Sequence, residues 1–319
     1  MNISPIKCSI LAAALILSAG VAKAQQFPEK PVEMTILFGG APQTVGQVLA
    51  DQMSKALGSP VAAVSRLGGG GAIGYTYVKG QPADGYNIVF NSNSISTTHH
   101  QGNLPFDYKA FAPIARVGID VPVVVVRKES GWTSLKDMIE AGKKADAKLK
   151  VTFAGIGSFT HVVAASLIQR TGIGAIYVPG GTGREIGELL AGRVDAAINF
   201  TSQVKAHVDA GKLVVLCKTT KEDIEIGLTV PTCDAAGAEG LDLVLWRGLA
   251  APAETPPAVI EKLQEATKTA IDSAEFKEAS ANLGFTPAYL PAAPFGEIIA
   301  KDDVEISKLM KDLGSQLQK

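Results

Sequence analysis

The chain has 319 residues, with 30 Lys and Arg against 31 Asp and Glu, for a formal net charge of −1. So even a balance lacks the basic excess that draws a protein to nucleic acid or to an anionic membrane surface. Three cysteines without a CxxC pair and four histidines without an HExxH leave no zinc spacing, and no metal or cofactor is expected.

Lys7 is followed by an apolar run over residues 10–19 and by the small-residue site Ala22-Lys23-Ala24. That order predicts a secretory signal peptide over residues 1–24, cleaved near Ala24, and a periplasmic mature protein. The run is shorter than the roughly 18 apolar residues that cross a bilayer. Cys8 precedes the run instead of ending it, so no lipid anchor is expected. What remains is longer than one hydrophobic core usually spans, and two lobes are expected.

Apolar runs of strand length occur at residues 32–38, 61–64, 88–90, 114–117, 121–126, 151–154, 176–178, 196–199 and 213–217. They alternate with amphipathic stretches, which predicts an α/β fold with largely parallel sheets. Thr44 with Gln47 reads as a capping box, and Val45, Val48, Leu49, Met53, Ala56 and Leu57 follow at helical spacing, so a helix is predicted from about Thr44. Thr255 and Pro256 open another helix, with Ile260, Leu263, Thr267, Ala270 and Ile271 on one face. Gly284 closes the next helical segment, and residues 295–317 form a last helix with Ile298, Ile299, Ile306, Leu309 and Leu313 toward the core. No flexible linker divides the halves, which implies a chain that leaves one lobe, builds the other and returns. Residues 25–122 with 246–319 are assigned to lobe 1 and residues 123–245 to lobe 2, with crossings at 123–126 and 245–249.

Three glycine-rich turns join a predicted strand to a predicted helix: Gly39-Gly40-Ala41-Pro42-Gln43, Gly155-Ile156-Gly157-Ser158-Phe159-Thr160-His161, and Gly180-Gly181-Thr182-Gly183-Arg184. Amides and hydroxyls at such strand ends suit carboxylate or phosphate oxygens. Each alone also reads as a plain tight turn; three together point to a ligand. Gly69, Gly71 and Gly74 spell GxGxxG without an acid about 20 residues on, where a ribose partner would be expected, and read as a turn on the rim of a cleft. The pair His99-His100 is expected in a solvated loop and His207 on a helix surface, while His161 reads equally as a ligand contact or a local cap. Cys217 and Cys233 are either a disulfide or two separate thiols.

Several longer motifs carry a resemblance. Gly68-Gly69-Gly70-Gly71-Ala72-Ile73-Gly74, Pro82-Ala83-Asp84-Gly85-Tyr86, the stretch over residues 106–114 and the stretch over residues 246–257 resemble the Bug family of periplasmic receptors, which serve tripartite tricarboxylate transporters. The likeness runs from about Phe27 to the C-terminus. It implies a two-lobed periplasmic binding protein fold with a hinge and an interlobe ligand cleft, and no enzymatic activity. It also implies that a monomer captures a small carboxylate (a dicarboxylate, tricarboxylate or aromatic acid) for membrane permease subunits. Carried over by position, the ligand contacts come from Gly39, Gly40, Ala41, Gln43, Ser92, Asn93, Ser94, Ser158, Thr160, His161, Gly180, Gly181, Thr182 and Asn199.

Gln43 and Asn199 stand where the family usually has Asp, a family Tyr beside Val178-Pro179 is missing, and Phe38 alters the usual start of the first loop. The losses imply a pocket unlike that of a common dicarboxylate receptor. Arg184 is then a candidate partner for a distal carboxylate, and equally a surface charge at a helix start. Two other readings stand beside the receptor: a periplasmic hydrolase using His161 with Ser158 or Thr160, and a ligand-sensing subunit for a membrane receptor.

Overall fold

The computed structural model describes residues 27–144, 148–181, 184–222 and 227–317. The predicted signal peptide and Thr182 lie outside the described residues.

The first sheet takes strands from both parts of the chain: β1 (Val32–Ile36), β2 (Val61–Ser65), β3 (Asn87–Ser92), β4 (Phe111–Asp120), β10 (Leu245–Pro252) and β11 (Thr286–Pro291), in the order β11-β4-β10-β3-β1-β2. The second is built from the middle: β5 (Pro122–Arg127), β6 (Leu149–Phe153), β7 (Ala175–Pro179), β8 (Ala196–Phe200) and β9 (Leu213–Lys218), in the order β7-β6-β8-β5-β9. The sheets are mixed, not largely parallel as expected. β1 runs parallel to β2 and β3, and β6 parallel to β7 and β8, whereas β10 is antiparallel to β3 and β4, and β5 to β8 and β9. β5 and β10, the strands that receive the chain from the other sheet, run against the direction of the βαβ units, as does β11, which pairs antiparallel with β4.

Residues 123–126 show how sequence makes the interior. All four valines are fully buried. Side chains alternate across a strand, so Val124 and Val126 pack with Met138, Phe153 and Val162 on one face, and Val123 and Val125 pack with Val204, Leu213 and Trp246 on the other. A strand covered on both faces has no polar side to present, hence the unbroken run.

Helices α1 (Ala41–Leu57), α2 (Ala72–Lys79), α3 (Ser94–His100), α8 (Pro257–Asp272) and α9 (Ala274–Leu283) belong with the first sheet; α4 (Leu135–Lys144), α5 (Phe159–Thr171), α6 (Glu185–Leu190) and α7 (Thr201–Asp209) belong with the second. α1 starts at Ala41, three residues before the predicted Thr44. Gly40 takes the cap at φ +71°, a conformation that glycine adopts without cost. Pro42 fits the first turn, where its missing N–H is not needed. Thr44 therefore sits inside the helix, its hydroxyl donating to the Gly40 carbonyl at 3.4 Å, and no capping box forms.

The chain passes between sheets in very short steps. Val121 alone separates β4 from β5, earlier than the predicted crossing at residues 123–126, which lie within β5. On the return, Leu243 still donates to the Thr219 carbonyl of the second lobe, while Leu245 already pairs with Asp120 of the first sheet. Helix α10 (Ala292–Leu317) makes a third connection. Its 26 residues span about 39 Å at 1.5 Å per residue. Phe295 and Ile299 pack with Trp246, whereas Ile306 and Leu309 pack among the α5 side chains Val163 and Leu167. The second half of this helix thus leans on the lobe opposite the one to which residues 246–319 were assigned; the side chain of Leu313 lies outside the described residues.

Near the crossings, Arg116 of β4 is 4% exposed and bridges to Glu222 through two bonds, Nη1–Oε1 at 2.8 Å and Nη2–Oε2 at 3.0 Å. Cys217 and Cys233, left open by the sequence, form a disulfide with both side chains fully buried. It ties the end of β9 to the segment that leads back toward the first lobe. A link over 16 residues of sequence restricts the unfolded chain, and for such a loop the stabilisation is about 3 kcal/mol. Replacing both cysteines with serine is expected to lower the unfolding free energy by about that amount. Urea denaturation of the two proteins checks this, and an unchanged midpoint would contradict it.

Candidate functional site

Between the sheets lies a cleft made of two adjoining cavities of about 410 Å³ and 500 Å³ that share Phe38, Phe200 and Arg247. The loops that bound it follow the C-terminal ends of β1, β3, β6 and β8, the place where α/β sheets present helix N-termini and loop amides.

The first cavity is rich in hydroxyls. Ser92, Ser94, Thr97 and Thr98 face it from the first lobe, and Ser158 and Thr160 from the second. A buried network holds the β3–α3 side in place. Tyr75 Oη donates to Asn91 Oδ1 at 2.7 Å and lies 2.8 Å from Ser94 Oγ, to which Ser92 Oγ donates at 2.8 Å. Across the cleft, Gln101 Nε2 donates to the Gly157 carbonyl at 2.7 Å, a direct bond between lobes. A Cβ at residue 157 would stand 1.6 Å from that nitrogen, so only glycine permits the contact.

The loop over residues 154–161 is held by its own side chains. Thr160 Oγ1 accepts from the Ala154 N–H at 3.0 Å, Ser158 Oγ from the Gly155 N–H at 3.3 Å, and His161 Nδ1 from the Gly157 N–H at 2.9 Å. These amides are engaged within the loop. The N–H groups of Phe159 and Thr160, in the first turn of α5, have no intrahelical acceptor, and both residues line the cavity.

Of the two readings of His161, the geometry shows a local fastening. The side chain is 1% exposed, stacked on Phe153 with ring centroids 4.3 Å apart and edge-on to Tyr177. Burial pushes its pKa down to about 4, which leaves it neutral. With Nδ1 accepting, Nε2 carries the hydrogen and is buried without a partner among the described residues. The imidazole bonds to a backbone amide, not to the Ser158 or Thr160 hydroxyl that the hydrolase reading would pair with it.

The other sequence-derived positions fall into two groups. Gly39, Gly40 and Ala41 line the second cavity together with Pro42, Phe285 and Leu283. Gln43 is half-buried and does not line either cavity; its Oε1 lies close to Gly39. Asn93 is turned into the protein: Nδ2 donates to Asp302 Oδ2 at 2.8 Å and to the Val244 carbonyl at 3.3 Å, and Oδ1 accepts from the Trp246 N–H at 2.9 Å. Asn199 is likewise buried, its Oδ1 accepting from the Phe200 N–H at 2.7 Å. Gly180 continues the β6–β7 pairing by donating to the Phe153 carbonyl. Gly181 and Arg184 lie apart from both cavities, with the exposed Arg184 guanidinium folded back over Gly181.

The histidine pair is a correction. His99 and His100 end α3 instead of lying in a solvated loop; His99 Nδ1 meets the Leu104 carbonyl and His100 Nε2 meets Asp303 Oδ1, both at 3.1 Å. The glycine-rich turn has positive φ at Gly68, Gly69, Gly70 and Gly71, and its Gly70 lines the first cavity. Sequence reasoning missed Phe38, Phe200, Asp120 and Arg247 as cleft residues. A signal for Arg247 was present: it is the lone charge in the otherwise apolar run over residues 244–251.

Tripartite tricarboxylate transporter family receptors match this chain over residues 45–314. The chain belongs to that family. A relative from Agrobacterium vitis, the UPF0065 protein in the TAR-I ttuE-ttuC' intergenic region, is 30% identical over 299 residues, 91% of this chain and 86% of the relative. Among solved structures, a TctC solute binding protein from Polaromonas superposes with a TM-score of 0.82 at 26% identity, covering 90% of this chain and 99% of that one. MatC from Rhodopseudomonas palustris, solved with bound malate, shares the fold with a TM-score of 0.70 at 23% identity, over 89% of this chain and 100% of that one. The tripartite tricarboxylate receptors are two-lobed periplasmic solute-binding proteins, and the two sheets with a cleft between them are that architecture.

Asn93 links the cleft to a buried acid. Asp302 Oδ2 accepts from both Asn93 Nδ2 and Trp246 Nε1 at 2.8 Å, and burial pushes the carboxyl up to about 7 against the pull of the Trp246 N–H. The folded protein then keeps a proton that the unfolded chain releases near pH 4, so Asp302 makes stability fall as pH rises from about 4 to 7. Asp302→Asn is expected to flatten that part of the profile. Thermal unfolding of both proteins at several pH values measures it, and parallel profiles would contradict the assignment.

Proposed function

We propose that this chain is a periplasmic receptor that captures a small carboxylate in the interlobe cleft and delivers it to the permease subunits of a tripartite transporter. Residues 1–24 direct export, and the receptor works as a monomer. Lobe 1 comprises residues 25–122 with 246–319, and lobe 2 residues 123–245, the second half of α10 bracing the latter.

The observation that carries the reading is the opposition of donors across one cavity. Ser92, Ser94 and Thr97 of one lobe face Ser158, Thr160 and the first turn of α5 in the other. A carboxylate that accepts from both sets joins the lobes, and charge-assisted hydrogen bonds are roughly twice as strong as neutral ones. Ligand contacts with both lobes favour the closed arrangement over any open one. Gly39, Gly40 and Ala41 extend the site along the second cavity. Thr182 is included through its place in the family resemblance.

Protein freed of copurified ligand by unfolding and refolding is expected to unfold at a higher temperature in the presence of at least one acid from a panel of aliphatic and aromatic carboxylates. At a hundredfold excess over Kd the gain is about 2.7 kcal/mol. Calorimetric titration should show the same acid binding with one site per chain. A panel with no shift in unfolding temperature and no binding heat would contradict the proposal.

A further inference from the structure

Arg247 is the one cationic side chain that lines the cleft among the described residues, and it lines both cavities. It reaches them from β10, where the pairing with β4 shifts register between Arg247 and Gly248. Such an irregularity re-aims a side chain relative to its neighbours on the strand. The Arg247 side chain is 11% exposed, and among the described residues its one bond to protein runs from Nη2 to Asp120 Oδ2 at 3.3 Å. A guanidinium has five N–H donors, so most of its capacity is left for a ligand.

The surroundings limit what that ligand is. Phe38 and Phe200 border both cavities where Arg247 lies, and the second cavity adds Val45, Leu283 and Phe285. Asp120 is the other charged group that lines the cleft among the described residues, and it faces the second cavity. A second carboxylate placed there would meet Asp120 instead of a cation. An apolar ring placed there meets phenylalanine, and planar guanidinium groups stack well on aromatic faces. Burial raises the Asp120 carboxyl's pKa while Arg247 opposes the rise, so the single positive charge of Arg247 is already shared with one carboxylate, and each carboxylate that a ligand adds finds less of it. A dianion would leave excess negative charge enclosed when the lobes close, which is costly in a low-dielectric site.

We propose that Arg247 is the specificity-determining residue of this cleft, selecting an acid with one carboxylate and an aromatic body over a compact dicarboxylate. The carboxylate sits at the junction of the cavities, with one oxygen on Arg247 and the other toward Ser158 and the first turn of α5 across the cleft. The ring lies between Phe38 and Phe200 and extends into the second cavity, while hydroxyl or other neutral polar substituents turn toward Ser92 and Thr97. The inference rests on the receptor reading above and names the ligand class for that same cleft.

Benzoate and malate serve as probes in calorimetric titration of ligand-free wild-type protein, alongside the broad carboxylate panel. Benzoate is expected to bind at least about tenfold more tightly than malate. Arg247→Gln is expected to weaken benzoate by about 10- to 100-fold, the range for one charge-assisted bond. Arg247→Lys keeps the charge without the planar fork and should fall between the two; if Arg247→Gln does not fold, the lysine variant carries the test through its loss of affinity. Tighter binding of malate than benzoate, or unchanged benzoate affinity in a folded Arg247 variant, would overturn the inference while leaving the receptor reading intact. Failure of every acid on the panel to bind wild-type protein would overturn both.

Discussion

Two sheets can share a ligand only if the chain holds them close and still lets them turn, and the short passages at Val121 and Val244 impose that constraint on the whole molecule. Each passage leaves little slack, so the loops beyond the strands of one lobe stay opposite those of the other. α10 adds a brace, with its first half packed beside Trp246 and its second beside α5. Rotation about such a frame moves the lobes as bodies and leaves the loops intact, as in hinge closure. The Arg116–Glu222 pair and the Cys217–Cys233 disulfide both lie near these passages.

The cleft is preorganised on the same principle. Loop 154–161 satisfies its own amides through Thr160, Ser158 and His161, and the β3–α3 turn is fastened by Tyr75 on one side and Asn93 on the other. Polar groups held by buried partners lose little freedom when a ligand arrives, which favours affinity. The arrangement explains why several residues of the right chemical type point away from the cavity. Asn93, Asn199 and His161 each use their polar atoms to shape the backbone that the ligand would meet.

The positions of β1 to β9 and the glycine turns were legible in the sequence because they follow local rules, unbroken apolar runs for strands covered on both faces and glycine where φ is positive; β10 and β11 were not among the runs, and β11 carries Pro287 and Pro291 in place of a continuous apolar pattern. Membership of the receptor family was legible in the motifs at residues 68–74 and 246–257, which lie in the rim turn and in β10. Side-chain direction was not legible. His161 and Ser158 share one turn, yet Ser158 lines the cavity and His161 packs behind it on Phe153. Arg184 follows a glycine turn as Ser158 does, but it folds over Gly181 on the surface. The cation in the cleft is Arg247, which the linear pattern places within a strand and which only the pairing of β10 with β3 and β4 brings to the cavity. The start of α1 was misread for a similar reason, since a side-chain cap was expected where Gly40 supplies the turn by backbone conformation.

The central claim is that donors from both lobes close on a single acid. A crystal structure of the protein grown with the tightest-binding carboxylate tests it most directly. The account predicts density for the acid between Ser94 and Ser158, with hydrogen bonds to residues of both lobes. An acid bound outside the cleft, or held by one lobe alone, would contradict it.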